Sequence, residues 1–109
     1  MVMKLTFFER ISIPTIFPEK ATFADAIIYD DIRQKIKITQ KEITTYNIRA
    51  TMDGSGVEWD YEPEGGTEFE LTDAEIKLIT KCLLDLDKKA LVPTDPKFII
   101  LYKKFINNG

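Results

Sequence analysis

Histidine is absent from this sequence, and cysteine occurs once, as Cys82. Without an imidazole, Ser-His-Asp and Cys-His nucleophilic systems, histidine general bases and every His-containing zinc site are excluded. One thiol also excludes an internal disulfide and an all-thiolate zinc site within the chain. An enzyme built only from carboxylates, lysines and magnesium stays open, but the range of chemistry is narrow, so no catalytic role is expected. Long apolar runs are missing too: no stretch approaches the roughly 18 residues that cross a bilayer. Met1 to Arg10 has neither a long apolar segment nor a small-residue cleavage site, so export is not expected.

What is present fits one globular domain over residues 1–109. The 44% hydrophobic and 30% charged side chains are enough for a real core and argue against general disorder. The strongest pattern begins at Thr72. Thr72 and Glu75 form a T-x-x-E capping box, in which each side chain satisfies an orphan backbone N–H. Behind it Ile76, Ile79, Cys82, Leu83, Leu86 and Ala90 share one helical face, with Lys77, Lys81, Asp85 and Lys88 opposite. This predicts a core helix over 72–90 and a packed, unreactive thiol.

The rest of the chain follows in order. Thr6 and Glu9 open a short helix to about Ile13, with Leu5, Phe8 and Ile11 directed at the core. Pro14 and Pro18 bracket Thr15-Ile16-Phe17, which predicts an extended connection. Thr22 and Asp25 cap a helix to about Gln34 whose stripe is Ala24, Ile27, Ile28 and Ile32. Lys35 to Ile38 alternates as a turn or very short strand. Thr39 and Glu42 cap a third helix, Gln40 to Tyr46. Ile48, Ala50 and Met52, then Val57, Trp59 and Tyr61, alternate around Asp53-Gly54-Ser55-Gly56, which predicts a β-hairpin. Thr67 to Leu71 is a candidate third strand. Asp95-Pro96 opens the last helix, with Phe98, Leu101, Tyr102 and Phe105 inside, and Asn107 to Gly109 are expected to fray. The fold class is α+β: about five helices with an antiparallel hairpin, in an order that also suits a winged helix.

Several segments carry a resemblance when taken together: Leu5-Thr6-Phe7-Phe8-Glu9-Arg10, Ile38 to Ile43, Val57-Glu58-Trp59, Phe69-Glu70-Leu71-Thr72 with Glu75-Ile76, Leu86-Asp87, and Leu101-Tyr102-Lys103-Lys104-Phe105. In this order they resemble a group of small bacteriophage- and prophage-encoded proteins of uncharacterised role. The resemblance implies a phage-type origin and a bacterial cytoplasm, and it carries no catalytic residues.

Charge is the main functional signal. Nine acids, Asp53, Glu58, Asp60, Glu62, Glu64, Glu68, Glu70, Asp73 and Glu75, occupy 53–75 without a lysine or arginine. Residues 1–52 carry eight basic and six acidic side chains, and 76–109 carry seven and three, so a chain of net charge −3 is strongly polarised. As a working surface the acidic hairpin would steer a basic protein partner or mimic nucleic acid. Its plainer reading, which carries more weight residue by residue, is a solvated sheet face that discourages edge pairing. Trp59 and Tyr61 are expected in the core against helix 72–90; exposed, they would mark an interface.

The alternative is a winged helix-turn-helix over Thr22 to Tyr61. Arg33, Lys35, Lys37, Lys41 and Arg49, with Gln40, Thr44 and Thr45, would then contact nucleic acid. An acidic wing and an isoelectric point near 5.0 oppose it. Asp53-Gly54-Ser55-Gly56-Val57-Glu58 lacks the spaced carboxylates of a calcium loop, and neither glycine pair fits a phosphate-binding fingerprint. No metal or cofactor is expected.

Overall fold

The computed structural model describes residues 1–106; the expected fraying of Asn107 to Gly109 lies outside them. Strand β1 (Val2–Leu5) leads into helix α1 (Phe7–Ser12) and a 3₁₀ turn (Ile13–Ile16). Helices α2 (Phe23–Ile36) and α3 (Gln40–Tyr46) follow, then strands β2 (Arg49–Ala50), β3 (Val57–Glu58) and β4 (Thr67–Glu70), and helices α4 (Asp73–Lys88) and α5 (Pro96–Ile106). The architecture is α+β, with two separate two-stranded antiparallel sheets, β1–β4 and β2–β3.

The three T-x-x-E boxes form as expected, on α1, α3 and α4, with both reciprocal hydrogen bonds present in each. Thr22 caps α2 by accepting from the Asp25 N–H. The centre is apolar: Leu5, Ile13, Ile32, Ile36, Leu71, Ile79, Leu83, Leu101 and Phe105 are buried, with Met3 and Phe98 alongside. Fully burying one such aliphatic side chain contributes about 1.5–3 kcal/mol, so α4 and α5 anchor the body as their stripes predict.

Strand β1 is the element that sequence reading misses. Its burial alternates, with Val2 and Lys4 out and Met3 and Leu5 in, but four residues are too short a run to reveal a period. Its partner lies far away in sequence, in the register Val2 to Glu70 through Leu5 to Thr67. The candidate third strand is real, therefore, but belongs to β1 and not to the hairpin.

Other local expectations are corrected. Thr15 and Ile16 lie in the 3₁₀ turn with Pro14, because proline at the second position of such a turn lacks only an N–H that would be orphaned there. Helix α2 passes through Lys35 to Ile36, and its inner side is Tyr29, Ile32 and Ile36; Ala24 and Ile27 face outward. In α1 the charged Glu9 and Arg10 are buried more deeply than Phe8 and Ile11. In α4, Leu78 and Glu75 join the buried face. Ala90 leaves it, taking the left-handed conformation (φ 58°). There the Leu91 N–H donates to the Leu86 carbonyl at 2.8 Å and the Ala90 N–H to that of Asp87 at 3.0 Å. These bonds close the helix in the manner of a Schellman cap, at a site that glycine usually fills.

Candidate functional site

The hairpin stands on an aromatic base. The Trp59 ring meets Phe7 edge-on at 5.4 Å, Phe7 meets Tyr46 at 5.3 Å, and Tyr46 meets Tyr61 at 5.1 Å. Trp59 is half-buried and Tyr61 is 59% exposed, so both are rooted on α1 and α3 instead of beneath α4. A two-residue ladder is too short to reach that helix. Beyond this root the apolar side of the hairpin continues into solvent, with Val57 42% and Met52 fully exposed. Ile43, on α3, is exposed as well.

The nine acids do not form one uniform surface. Asp53 is consumed within its loop: Oδ1 accepts from the Ser55 N–H at 3.0 Å and from the Thr51 and Ser55 hydroxyls at 2.7 Å. The Ser55 amide, then those hydroxyls, hold this carboxyl down to about 2. Glu58 and Asp60 flank Arg49 at 3.5 and 2.9 Å. Asp60 is shifted down by the Asn47 amide first and Arg49 second. Glu62 accepts from the Phe7 N–H at the start of α1, at 3.0 Å. Glu70 pairs with the amino group of Met1 at 2.9 Å. Glu75 is buried. Burial alone would raise its pKa, but Lys35 at 2.7 Å and the Thr72 N–H bring it below the ordinary value. Glu64, Glu68 and Asp73 have no ion-pair partner among the described residues.

The basic residues of the nucleic-acid reading are also divided. Arg33 lies over the Phe17 ring at 5.2 Å, while Lys35 and Arg49 are engaged with carboxylates. Lys37, Gln40, Lys41, Thr44 and Thr45 are exposed. Helix α3 contributes no buried residue, unlike a recognition helix held in place by its own apolar face.

Sequence reasoning overlooks Arg10. Its side chain is only 2% exposed. Nε and Nη2 donate to the carbonyls of Ile36 and Lys37, each at 2.8 Å, while Nη1 and Nη2 grip the two Glu42 oxygens at 2.6 and 2.8 Å. Phe69 lies 4.9 Å from the guanidinium carbon. Arg10 thus ends α2 by meeting its orphan carbonyls, and holds the start of α3. It is the largest cause of a Glu42 pKa lowered to about 2. The same economy recurs: each capping-box glutamate also binds a distant cation, Glu9 to Lys104 at 2.5 Å, Glu42 to Arg10 and Glu75 to Lys35. The boxes were visible in the sequence; their long-range partners had no signal.

Two grooves remain. One, of about 530 Å³, lies between α3 and β4 and is lined by Lys4, Lys41, Thr45, Tyr46, Glu64 and Glu68 among others. The other, of about 760 Å³, separates α2 from the later turns of α4. At its floor the Tyr29 hydroxyl and Cys82 Sγ are 3.5 Å apart; burial first, and this contact second, raise the tyrosine pKa, and burial raises that of the thiol. A protonated, buried thiol is inert. Among the described residues, no three acidic or thiol side chains converge to hold a metal ion, and no helix is long and apolar enough to cross a membrane. Comparison with protein-family models, curated proteins and solved structures finds no match for this chain.

Proposed function

We propose that this chain is a non-catalytic, phage-type accessory protein of the bacterial cytoplasm that acts by binding another protein through its hairpin face. The supporting observation is the hairpin itself. It leaves Met52, Val57 and Tyr61 exposed, while Glu58 and Asp60 share the single cation Arg49, with Glu58 on the ladder face opposite Val57. Exposed large apolar side chains close to charge are common in contact surfaces. Arg49 balances only one of these two acids, so the preferred partner is basic. The phage-type origin rests on the sequence resemblance alone.

The test is binding to basic proteins of a bacterial lysate as salt is raised, with wild type and a Glu58→Lys/Asp60→Lys variant side by side. Capture that weakens with salt and is lost in the variant supports the reading; capture unchanged by the variant sinks it. Retention of random DNA duplex at low salt, abolished by Lys37→Glu/Lys41→Glu, would put the winged-helix reading in its place.

A further inference from the structure

The β1–β4 sheet has two edges, and they are not equivalent. Leu71 and Met1 exchange reciprocal bonds, the Leu71 N–H to the Met1 carbonyl at 2.9 Å and the Met1 amino group to the Leu71 carbonyl at 2.9 Å. In an antiparallel ladder such pairs alternate, so the register makes Phe69 and Thr67 the other residues of β4 that bond to β1. The peptide groups of Glu68 and Glu70 therefore point away from the sheet. By the same alternation the Lys4 carbonyl points outward on β1, and there it accepts from Lys104 Nζ at 3.0 Å. The β1 edge is closed by α5 at this point. Among the described residues, no hydrogen bond meets the N–H or C=O of Glu68 or Glu70.

We propose that the open edge of β4 receives an extended segment of a partner protein as a third strand, with basic and apolar residues alternating. This deepens the protein-binding reading above and rests on it. Added strands gain affinity from main-chain hydrogen bonds and specificity from alternate side chains. The groove between α3 and β4 runs beside this edge and leaves room for such a segment. Glu68 and Glu70 fall on the exposed face two residues apart, with Phe69 on the other. Side chains of an added strand would lie about 5 Å from these two carboxylates. Lys4 and Lys41 line the same groove as Glu64 and Glu68, and the Met1 amino group already pairs with Glu70 at 2.9 Å, so the carboxylate that counts most for an added strand is that of Glu68. Glu68, without an ion-pair partner among the described residues, selects Lys or Arg opposite it; Glu70 contributes less because it is already ion-paired, and an apolar residue falls opposite Phe69. A second copy pairing edge to edge through β4 would set these carboxylates against each other, which disfavours self-association.

The test uses two synthetic peptides, Lys-Val-Lys-Val-Lys and Glu-Val-Glu-Val-Glu, added to the full chain and followed by amide hydrogen exchange. The lysine peptide is expected to slow exchange at Glu68 and Glu70 and to bind about tenfold more tightly than the glutamate peptide. Glu68→Pro removes the outward N–H without touching the β1 ladder, and should abolish the protection. Glu68→Lys/Glu70→Lys keeps the backbone and should reverse the peptide preference, which covers the case in which the proline variant fails to fold. No protection at these amides, equal binding of both peptides, or dimerisation that protects them without peptide would overturn the proposal. Such a failure leaves the hairpin reading intact, because Glu58 and Asp60 are untouched here; loss of that reading appears instead in the lysate experiment.

Discussion

Glu42 and Glu58 carry the same charge and sit in the same third of the chain, yet they belong to different worlds. Glu42 accepts from Thr39 and from both ends of the Arg10 guanidinium, on a body where Glu9 and Glu75 are tied in the same way. Glu58 stands about half in solvent, 3.5 Å from an Arg49 that it shares with Asp60. The difference teaches that acid count says little about role. What decides is whether a carboxylate is fixed by backbone N–H groups before its cation arrives. A capped glutamate is already oriented and partly desolvated, so its ion pair orders little further; Glu58, with no backbone N–H among the described residues to hold it, must be ordered in water.

The contrast is best broken at Arg10. Arg10→Ala leaves the half-buried Glu42 carboxylate and the α2 carbonyls without their buried donor, and should cost about 3–5 kcal/mol in urea unfolding. A loss no larger than that of a surface substitution would erase the distinction between the two groups of acids. The next effect is in pH. The folded Glu42 value of about 2 lies below its ordinary 4.5, so its contribution is complete above about pH 4.5 and disappears as pH falls through 2. The shift corresponds to about 3 kcal/mol. Glu75 moves in the same direction. Unfolding midpoints measured from pH 5 to pH 2 should fall accordingly, and less steeply in Glu42→Gln.

A smaller effect separates backbone from charge. Ala90→Gly should stabilise the body by about 0.5–1 kcal/mol, since relief of a left-handed alanine outweighs the added freedom of the unfolded chain; thermal melts would show it. Smallest is the hairpin itself. Glu58→Lys/Asp60→Lys removes both Arg49 ion pairs and sets a lysine opposite that arginine, and should lower stability by about 0.5 kcal/mol in the same urea series.

Legibility in the sequence follows the range of the forces involved. The capping boxes of α1, α3 and α4 could be read because Thr6, Thr39 and Thr72 act on groups three residues away. The stripes of α4 and α5 could be read because one period repeats over several turns. The pairing of Val2–Leu5 with Thr67–Glu70 could not, since nothing in a four-residue strand names its partner. For the same reason the alternation of Trp59 points to a sheet face but not to the helix beneath it, and nothing around Arg10 names Ile36, Lys37 or Glu42 as its partners. The acidic segment was legible as composition, but its division between structural and solvent-facing carboxylates needed the fold.

The distant pairing of β1 also sets a timetable. During synthesis the first strand emerges roughly sixty residues before the strand that completes it, a wait of about 3–12 s at ordinary elongation rates. Throughout that interval Met3 and Leu5 have no sheet to join, while α2 and α3 can already form their caps.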